Sequence, residues 1–211
     1  MNVSPSKENI LKKIRKALSQ STPLPFPKSE GTESVFPPLQ QEADVEFAEQ
    51  FTKLQGRFVF CINQQELAFQ LNSLVKKQNW TKVYCIEDKL IASFADQLAD
   101  RLVKSDLASC DVSITGCEYL VARTGSIVMS AAQDSGRNTS VYAPVHICIA
   151  YTSQLIYDIK DALQGIKDKY GDILPSLITF ATGPSRTADI EKTLVVGVHG
   201  PKEVYVFLVE S

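Results

Sequence analysis

The stretch Arg57-Phe58-Val59-Phe60-Cys61-Ile62 begins a pattern of strands that alternate with helices, and this pattern decides the fold class. Its apolar and aromatic side chains are typical of a buried β-strand. A segment from Gln64 to Gln78 follows, with apolar residues every three or four positions that predict a helix, and a second apolar run lies at Lys82 to Ile86. A strand, a helix and a strand in this order predict a βαβ crossover, and therefore two parallel strands.

The same rhythm continues along the chain. Two further helices are predicted, from Asp88 to Lys104 and from Ser153 to Lys169. The remaining predicted strands are Asp111 to Thr115, Tyr119 to Val121, Ser126 to Ser130, Val145 to Ala150, Leu177 to Ala181, Leu194 to Val198 and Val204 to Val209. We therefore predict an α/β fold with a largely parallel, Rossmann-like sheet flanked by helices. The short connection between the last two strands predicts a C-terminal antiparallel hairpin at or near a sheet edge.

The first 45 residues differ in composition from the rest. Ile10, Ile14 and Leu18 have helical spacing, and the opposite face is basic, while the stretch from 21 to 41 holds five of the ten prolines. We predict a basic helix and a proline-rich arm over residues 1–45, acting as a docking appendage, and one α/β domain over residues 46–211. The helix could dock on its own domain or a second subunit, or bind an acidic partner or a membrane surface.

Composition excludes several classes of function. The net charge of −2 provides no overall basic field for nucleic acid or anionic lipid. The five cysteines lack zinc or iron–sulfur spacing, and only His146 and His199 could supplement them, so we expect reduced core cysteines and no metal or cofactor bound by this chain. No apolar run approaches a membrane span, and the N-terminus lacks a signal-peptide core. We therefore expect a cytoplasmic protein.

A polar segment directly after the predicted strand Leu177 to Ala181 is a candidate cradle for phosphate or carboxylate. It combines glycine, hydroxyl and guanidinium groups with free backbone N–H groups. Its candidate ligand-binding residues are Thr182, Gly183, Ser185, Arg186 and Thr187. Asp189 is the carboxylate that we expect to face inward, with a catalytic role. The alternative is a strand-to-helix turn in which a Ser or Thr caps the helix.

Other candidate residues lie in two further loops. His199 follows a predicted strand end and precedes Gly200, so we take His199 as a candidate general acid or base and Gly200 as a ligand contact. The alternative is a turn residue bonded to a loop carbonyl. Thr124, Gly125 and Arg137 form a third candidate region, where the alternative is a β-bulge with a solvated arginine. His146 lies within a predicted strand and is expected to be a core residue.

Two C-terminal motifs resemble a known family. The first runs Thr182-Gly183-Pro184-Ser185-Arg186-Thr187-Ala188-Asp189-Ile190-Glu191, and the second runs Leu194-Val195-Val196-Gly197-Val198-His199-Gly200-Pro201-Lys202-Glu203. They closely resemble the C-terminal signature of the lactate utilization protein C family, whose members carry a LUD domain, formerly DUF162. Thr124-Gly125-Ser126, Gly136-Arg137 and Pro144-Val145-His146-Ile147 also resemble that family. Its members often have Glu where this chain has Arg123.

The resemblance implies a fold similar to the NagB/RpiA/CoA-transferase group. It also implies a part in bacterial L-lactate oxidation to pyruvate, as the cluster-free component beside iron–sulfur lactate utilization subunits, with a pocket for a small anionic metabolite. Iron–sulfur clusters are then expected on those partner subunits, and self-association into a homo-oligomer is a further hypothesis. Whether this chain is itself an enzyme stays open. The alternatives are a stand-alone enzyme acting on a phosphorylated or carboxylated metabolite, and a non-catalytic adaptor subunit.

Overall fold

The computed structural model describes residues 5–19, 36, 38–188 and 194–211. Residue contacts divide the chain into two units, Met1–Pro38 and Leu39–Ser211. In the first unit, helix α1 spans Pro5–Leu18 and confirms the predicted N-terminal helix. The proline-rich arm falls mainly outside the described residues, and the boundary predicted between 45 and 46 stays a prediction.

The second unit alternates strands with helices, as expected. Its helices are α2 (Ala43–Lys53), α3 (Gln64–Lys77), α4 (Asp88–Leu98), α5 (Thr139–Tyr142) and α6 (Ile159–Tyr170). The strands are β1 (Arg57–Cys61), β2 (Val83–Tyr84), β3 (Leu102–Val103), β4 (Val112–Thr115), β5 (Tyr119–Val121), β6 (Ser126–Ser130), β7 (Val145–Tyr151), β8 (Leu155–Ile156), β9 (Ile178–Ala181), β10 (Arg186–Ala188), β11 (Leu194–Val196) and β12 (Glu203–Val209).

The main sheet is wholly parallel in the part of the chain that the structure describes. Its strand order is β1-β12-β7-β4-β2-β3. Helices α3 and α4 cover one face, where Leu67, Leu71 and Phe94 share an apolar core with Ile147 and Phe207 of the sheet. The predicted α/β architecture, with a parallel sheet flanked by helices, is therefore confirmed.

A second sheet covers the other face of the main sheet. Its order is β8-β5-β6-β9, with β6 antiparallel to both of its neighbours. Ile127 of this sheet lies in one core with Cys148 and Val206 of the main sheet, and Phe47 and Phe51 of α2 join that core. Helix α6 packs on the outer face of the second sheet. The molecule is thus layered as helices, sheet, sheet and helix.

The predicted C-terminal antiparallel hairpin is present, but its strands differ from those expected. Strand β11 pairs with β10 and not with β12. Strand β12 lies between β1 and β7 in the interior of the main sheet, and every residue from Val204 to Val209 is buried. A continuous apolar run suits a parallel strand that is covered on both faces. The short connection therefore leads into the sheet and does not reverse the chain at an edge.

Two predicted helices are shorter than their patterns suggested. Helix α4 ends at Leu98, because the chain turns there to form β3. Helix α6 begins at Ile159, because the Asp158 side chain accepts the N–H of Lys160 and caps the helix. The residues before it form a 3₁₀ turn and β8.

Candidate functional site

A cleft of ≈ 260 Å³ opens between the two sheets. The main sheet contributes His146 and Val204, each the second residue of its strand, and the second sheet contributes the end of β9. Ligands of open α/β sheets usually bind at the carboxyl ends of the strands. The cleft lies at the carboxyl end of β9 and at the amino ends of β7 and β12 of the main sheet.

Two loops from the C-terminal motifs form one wall of the cleft. The N–H of Ser185 donates to the Pro201 carbonyl at 3.0 Å, and the N–H of Gly197 donates to the Ser185 carbonyl at 2.9 Å. A side chain at Gly200 would place its Cβ 2.8 Å from the Cβ of Ser185. Thr182 and His199 also line the cleft. The structure therefore joins two motifs that the sequence presents as separate segments.

The loop after β9 is fixed to the end of helix α2. Gly183 has φ +83°, and a Cβ there would lie 2.8 Å from the Leu54 carbonyl oxygen. The Arg186 guanidinium donates to that same oxygen at 2.6 Å. Arg186 is absent from the described lining of the cleft. The segment continues as β10, so the alternative of a helix cap is wrong.

A chain of hydroxyl groups connects the middle motif to the cleft. Thr124 Oγ1 lies 2.8 Å from Ser126 Oγ, and Ser126 Oγ lies 2.8 Å from Thr182 Oγ1. Ser126 is buried and was not among the predicted site residues. Gly125, by contrast, packs on α2, because its missing Cβ would lie 2.6 Å from the backbone nitrogen of Phe51. Its φ of +60° also favours glycine.

The remaining predicted residues lie elsewhere or cannot be placed. Arg137 donates to the Ser176 hydroxyl, and Thr187 pairs with Val195 between β10 and β11. Neither lines the described part of the cleft. Asp189 lies outside the described residues. Arg123 forms an ion pair with Asp158 at 2.7 Å.

His146 is buried in the core and also lines the cleft. It is 1% exposed, as the sequence predicted for a residue within a strand. Its Nε2 lies 2.8 Å from Thr115 Oγ1, and burial lowers the pKa of the imidazole to about 4. The ring is therefore neutral at physiological pH. The sequence analysis missed its place in the cleft, since a pattern within one strand does not show which loops cover its end.

The described residues contain no group of three or more His, Cys, Asp or Glu side chains arranged to hold a metal ion. Cys117 and Cys148 are buried in the same core, and all five cysteines are free thiols. No described helix is long and apolar enough to cross a bilayer. Hydroxyl groups, backbone and two imidazoles are thus the polar groups that the described chain brings to the cleft.

Comparison with known proteins identifies the family. The LUD domain family model matches residues 45–209. The chain belongs to the LUD domain family. Among its LUD-domain relatives, lactate utilization protein C of Bacillus licheniformis is 38% identical over 103 residues, 48% of this chain and 43% of the relative. Lactate utilization protein C of Bacillus subtilis is 36% identical over 119 residues, 56% of this chain and 49% of the relative.

The matched region spans about half the length of these curated relatives. A solved structure, of a DUF162 family protein from Deinococcus radiodurans, resembles this LUD-domain chain with a TM-score of 0.63 at 18% sequence identity. The likeness covers 82% of this chain and 99% of that one. At this identity, the likeness shows a shared fold.

Proposed function

We propose that this LUD-domain chain is the cluster-free component of a bacterial L-lactate utilization system, and that its cleft binds a small anionic ligand. The names of the two Bacillus relatives support a role in lactate utilization. The observation that carries the assignment of the cleft is that both C-terminal motifs meet there, at the contact between Ser185 and Gly200. Residues of both C-terminal motifs, which resemble the family signature, therefore line the cleft.

The size and chemistry of the cleft agree with a small ligand. Its ≈ 260 Å³ is below the range of about 300–1,000 Å³ found for sites that take drug-sized molecules. A carboxylate of a few carbon atoms fits this space. Thr182 and Ser185 offer hydroxyl donors, and His199 offers ring nitrogens at the exposed rim. We retain His199 as a candidate general acid or base in contact with the ligand, and Asp189 as a candidate catalytic carboxylate.

The electron transfer of this system belongs to partner subunits in our proposal. Oxidation of lactate to pyruvate releases electrons, which iron–sulfur clusters carry. The five cysteines of this chain are buried and divided among three hydrophobic cores, which supports our assignment of the clusters to partner subunits. We therefore propose iron–sulfur lactate utilization subunits as its partners and a cytoplasmic location.

Affinity purification of the full chain from its native host tests the partner assignment. We expect iron–sulfur proteins to co-purify, with their visible absorption in the eluted complex. Recovery of the chain without them under the same conditions would contradict the proposal. It would favour the stand-alone enzyme that acts on a phosphorylated or carboxylated metabolite.

Thermal unfolding of the purified chain tests the cleft. A ligand at about thirty times its Kd stabilises the folded state by about 2 kcal/mol. We expect L-lactate or pyruvate to raise the Tm, and His199→Ala to abolish that increase. Ser176→Ala changes an exposed hydroxyl outside the described cleft lining and should retain it. If lactate, pyruvate, sugar phosphates and acyl-CoA all leave the Tm unchanged, the result contradicts the ligand site and favours a non-catalytic adaptor subunit.

A further inference from the structure

His146 is the most deeply buried titratable side chain that lines the cleft. It belongs to β7, and its register partner on β4 is Ser113. Parallel strands in register direct these two side chains to the same face of the sheet, which is the face toward the second sheet. The small accessible fraction of His146 therefore opens into the cleft between the sheets.

One nitrogen of the imidazole is fixed by Thr115. The Thr115 hydroxyl donates to the Gly116 carbonyl at 2.9 Å, and the same oxygen lies 2.8 Å from Nε2 of His146. A hydroxyl group has one proton to donate. With that proton on the carbonyl, Thr115 Oγ1 acts as an acceptor toward the ring. Met129 Sδ, at 3.9 Å from Thr115 Oγ1, is a second acceptor for that proton, so we place the ring proton on Nε2, which then donates to Thr115.

The other nitrogen is left as an acceptor. In a neutral imidazole protonated at Nε2, Nδ1 has a free lone pair. Within the described chain, Thr115 is the one hydrogen-bond partner of this ring. The buried side-chain polar atom that lacks any partner there is Ser113 Oγ, and not a nitrogen of His146. Because His146 lines the cleft and Nδ1 has no partner among the described residues, we place Nδ1 at the cleft surface.

We propose that Nδ1 of His146 accepts a hydrogen bond from the hydroxyl group of a 2-hydroxy acid bound in the cleft. This assignment rests on the proposed function and names the substrate class of the same site. A 2-hydroxy acid presents an O–H donor to Nδ1. A 2-keto acid presents only an acceptor at that position, and an unsubstituted carboxylic acid presents neither. The cleft should therefore prefer L-lactate to both pyruvate and propionate.

Two substitutions separate the two nitrogens of His146. The longer amide of His146→Gln reaches the Nε2 position and keeps the bond to Thr115, but it removes the acceptor at Nδ1. The shorter amide of His146→Asn reaches the Nδ1 position and keeps an acceptor in the cleft, but it loses Thr115. We expect the wild-type chain to bind L-lactate about fivefold more tightly than propionate, as one net hydrogen bond allows. His146→Asn should keep that preference and His146→Gln should lose it.

Calorimetric titration of the full chain with L-lactate, pyruvate and propionate gives the decisive comparison. Ser113→Ala removes a neighbouring buried hydroxyl that has no partner among the described residues, so this variant should bind L-lactate like wild type. A preference for lactate that survives in His146→Gln would overturn the assignment of Nδ1, as would equal wild-type affinities for lactate and propionate. Those outcomes leave the cleft as a carboxylate site. A wild-type chain that binds none of the three acids would overturn the proposed ligand site as well.

The tautomer can be measured without any variant. Nitrogen-15 NMR of the wild-type chain should show His146 protonated at Nε2 and unprotonated at Nδ1. Addition of L-lactate should move the Nδ1 resonance, whereas propionate should not. A ring protonated at Nδ1 would overturn the inference even if both variants failed to fold.

Discussion

Two buried ionisable groups lie in the same double-sheet structure, and their surroundings are opposite. The Glu118 side chain is 1% exposed, and it accepts hydrogen bonds from Ser130 Oγ at 2.6 Å, Tyr170 O–H at 2.7 Å and Lys169 Nζ at 2.7 Å. His146 is equally buried and has the single partner Thr115 within the described chain. The protein supplies hydrogen-bond donors to both carboxylate oxygens of Glu118, whereas one ring nitrogen of His146 has no partner within the described chain.

The electrostatics of the two sites follow from this difference. Burial acts to raise the pKa of Glu118, but the bonds from Lys169, Ser130 and Tyr170 outweigh burial and hold that pKa below its usual value. No charged partner offsets the burial of His146, so its pKa falls and the ring stays neutral. Removing one partner from such a buried charged cluster destabilises the fold, because the remaining polar groups lose their hydrogen bonds. A neutral base on the wall of a cleft is available to a ligand.

The largest expected effect comes from Glu118→Ala. The substitution leaves two hydroxyl donors and an ammonium group without their acceptor, so we expect the free energy of unfolding to fall by about 4 kcal/mol. Urea unfolding of the variant measures this loss. Binding of L-lactate at a temperature where the variant is folded should be unchanged, since Glu118 is not among the described residues of the cleft. A loss below about 1 kcal/mol would show that this cluster is not a structural anchor.

The second-largest expected effect is that the titration of His146 makes the free energy of unfolding depend on pH. Above pH 6.5 the imidazole is neutral in both the folded and the unfolded chain. Between pH 6.5 and about 4, the unfolded chain binds a proton that the folded chain does not bind, so stability falls as the pH falls. The total loss is about 3 kcal/mol. The pKa of Glu118 is also lowered, so its contribution likewise falls with falling pH, but it is lost only at lower pH, as the carboxylate becomes protonated.

Urea unfolding across this pH range separates the two groups. His146→Gln has no titrating group at this position, so its stability should change less between pH 6.5 and 4 than that of wild type. Glu118→Gln should keep the dependence that His146 causes over the same interval. Parallel curves for wild type and His146→Gln would mean that the folded chain protonates His146 as easily as the unfolded chain does.

The same contrast explains what the sequence could predict. Hydrophobic periodicity identified the α/β fold and the parallel sheet, because each element buries its own apolar face. It placed β12 wrongly, since the partners of a strand depend on the whole sheet. The C-terminal motifs indicated Ser185, His199 and Gly200, which do meet at the cleft. Thr115 carries no local signal, and the motif that contains Ser126 does not show its bond to Thr182, because both roles depend on contacts between distant strands.

The smallest expected effect concerns the hydroxyl chain that supports the cleft. Ser126 Oγ joins Thr124 to Thr182, so Ser126→Ala leaves both threonine hydroxyls without this partner. We expect a loss of about 1 kcal/mol in the free energy of unfolding. Ser113→Ala is a matched control, because Ser113 is equally buried and its hydroxyl has no partner in the described chain.

Removing an unpartnered buried hydroxyl costs little or is stabilising. Ser113→Ala should therefore be at least as stable as wild type, as measured by urea unfolding. Because Thr182 lines the cleft, Ser126→Ala should also weaken the binding of L-lactate, whereas Ser113→Ala should not. Equal stability and equal binding of the two variants would contradict a supporting role for the hydroxyl chain. The difference between two buried serines would then carry no functional meaning, and the contrast between cleft and core would rest on His146 alone.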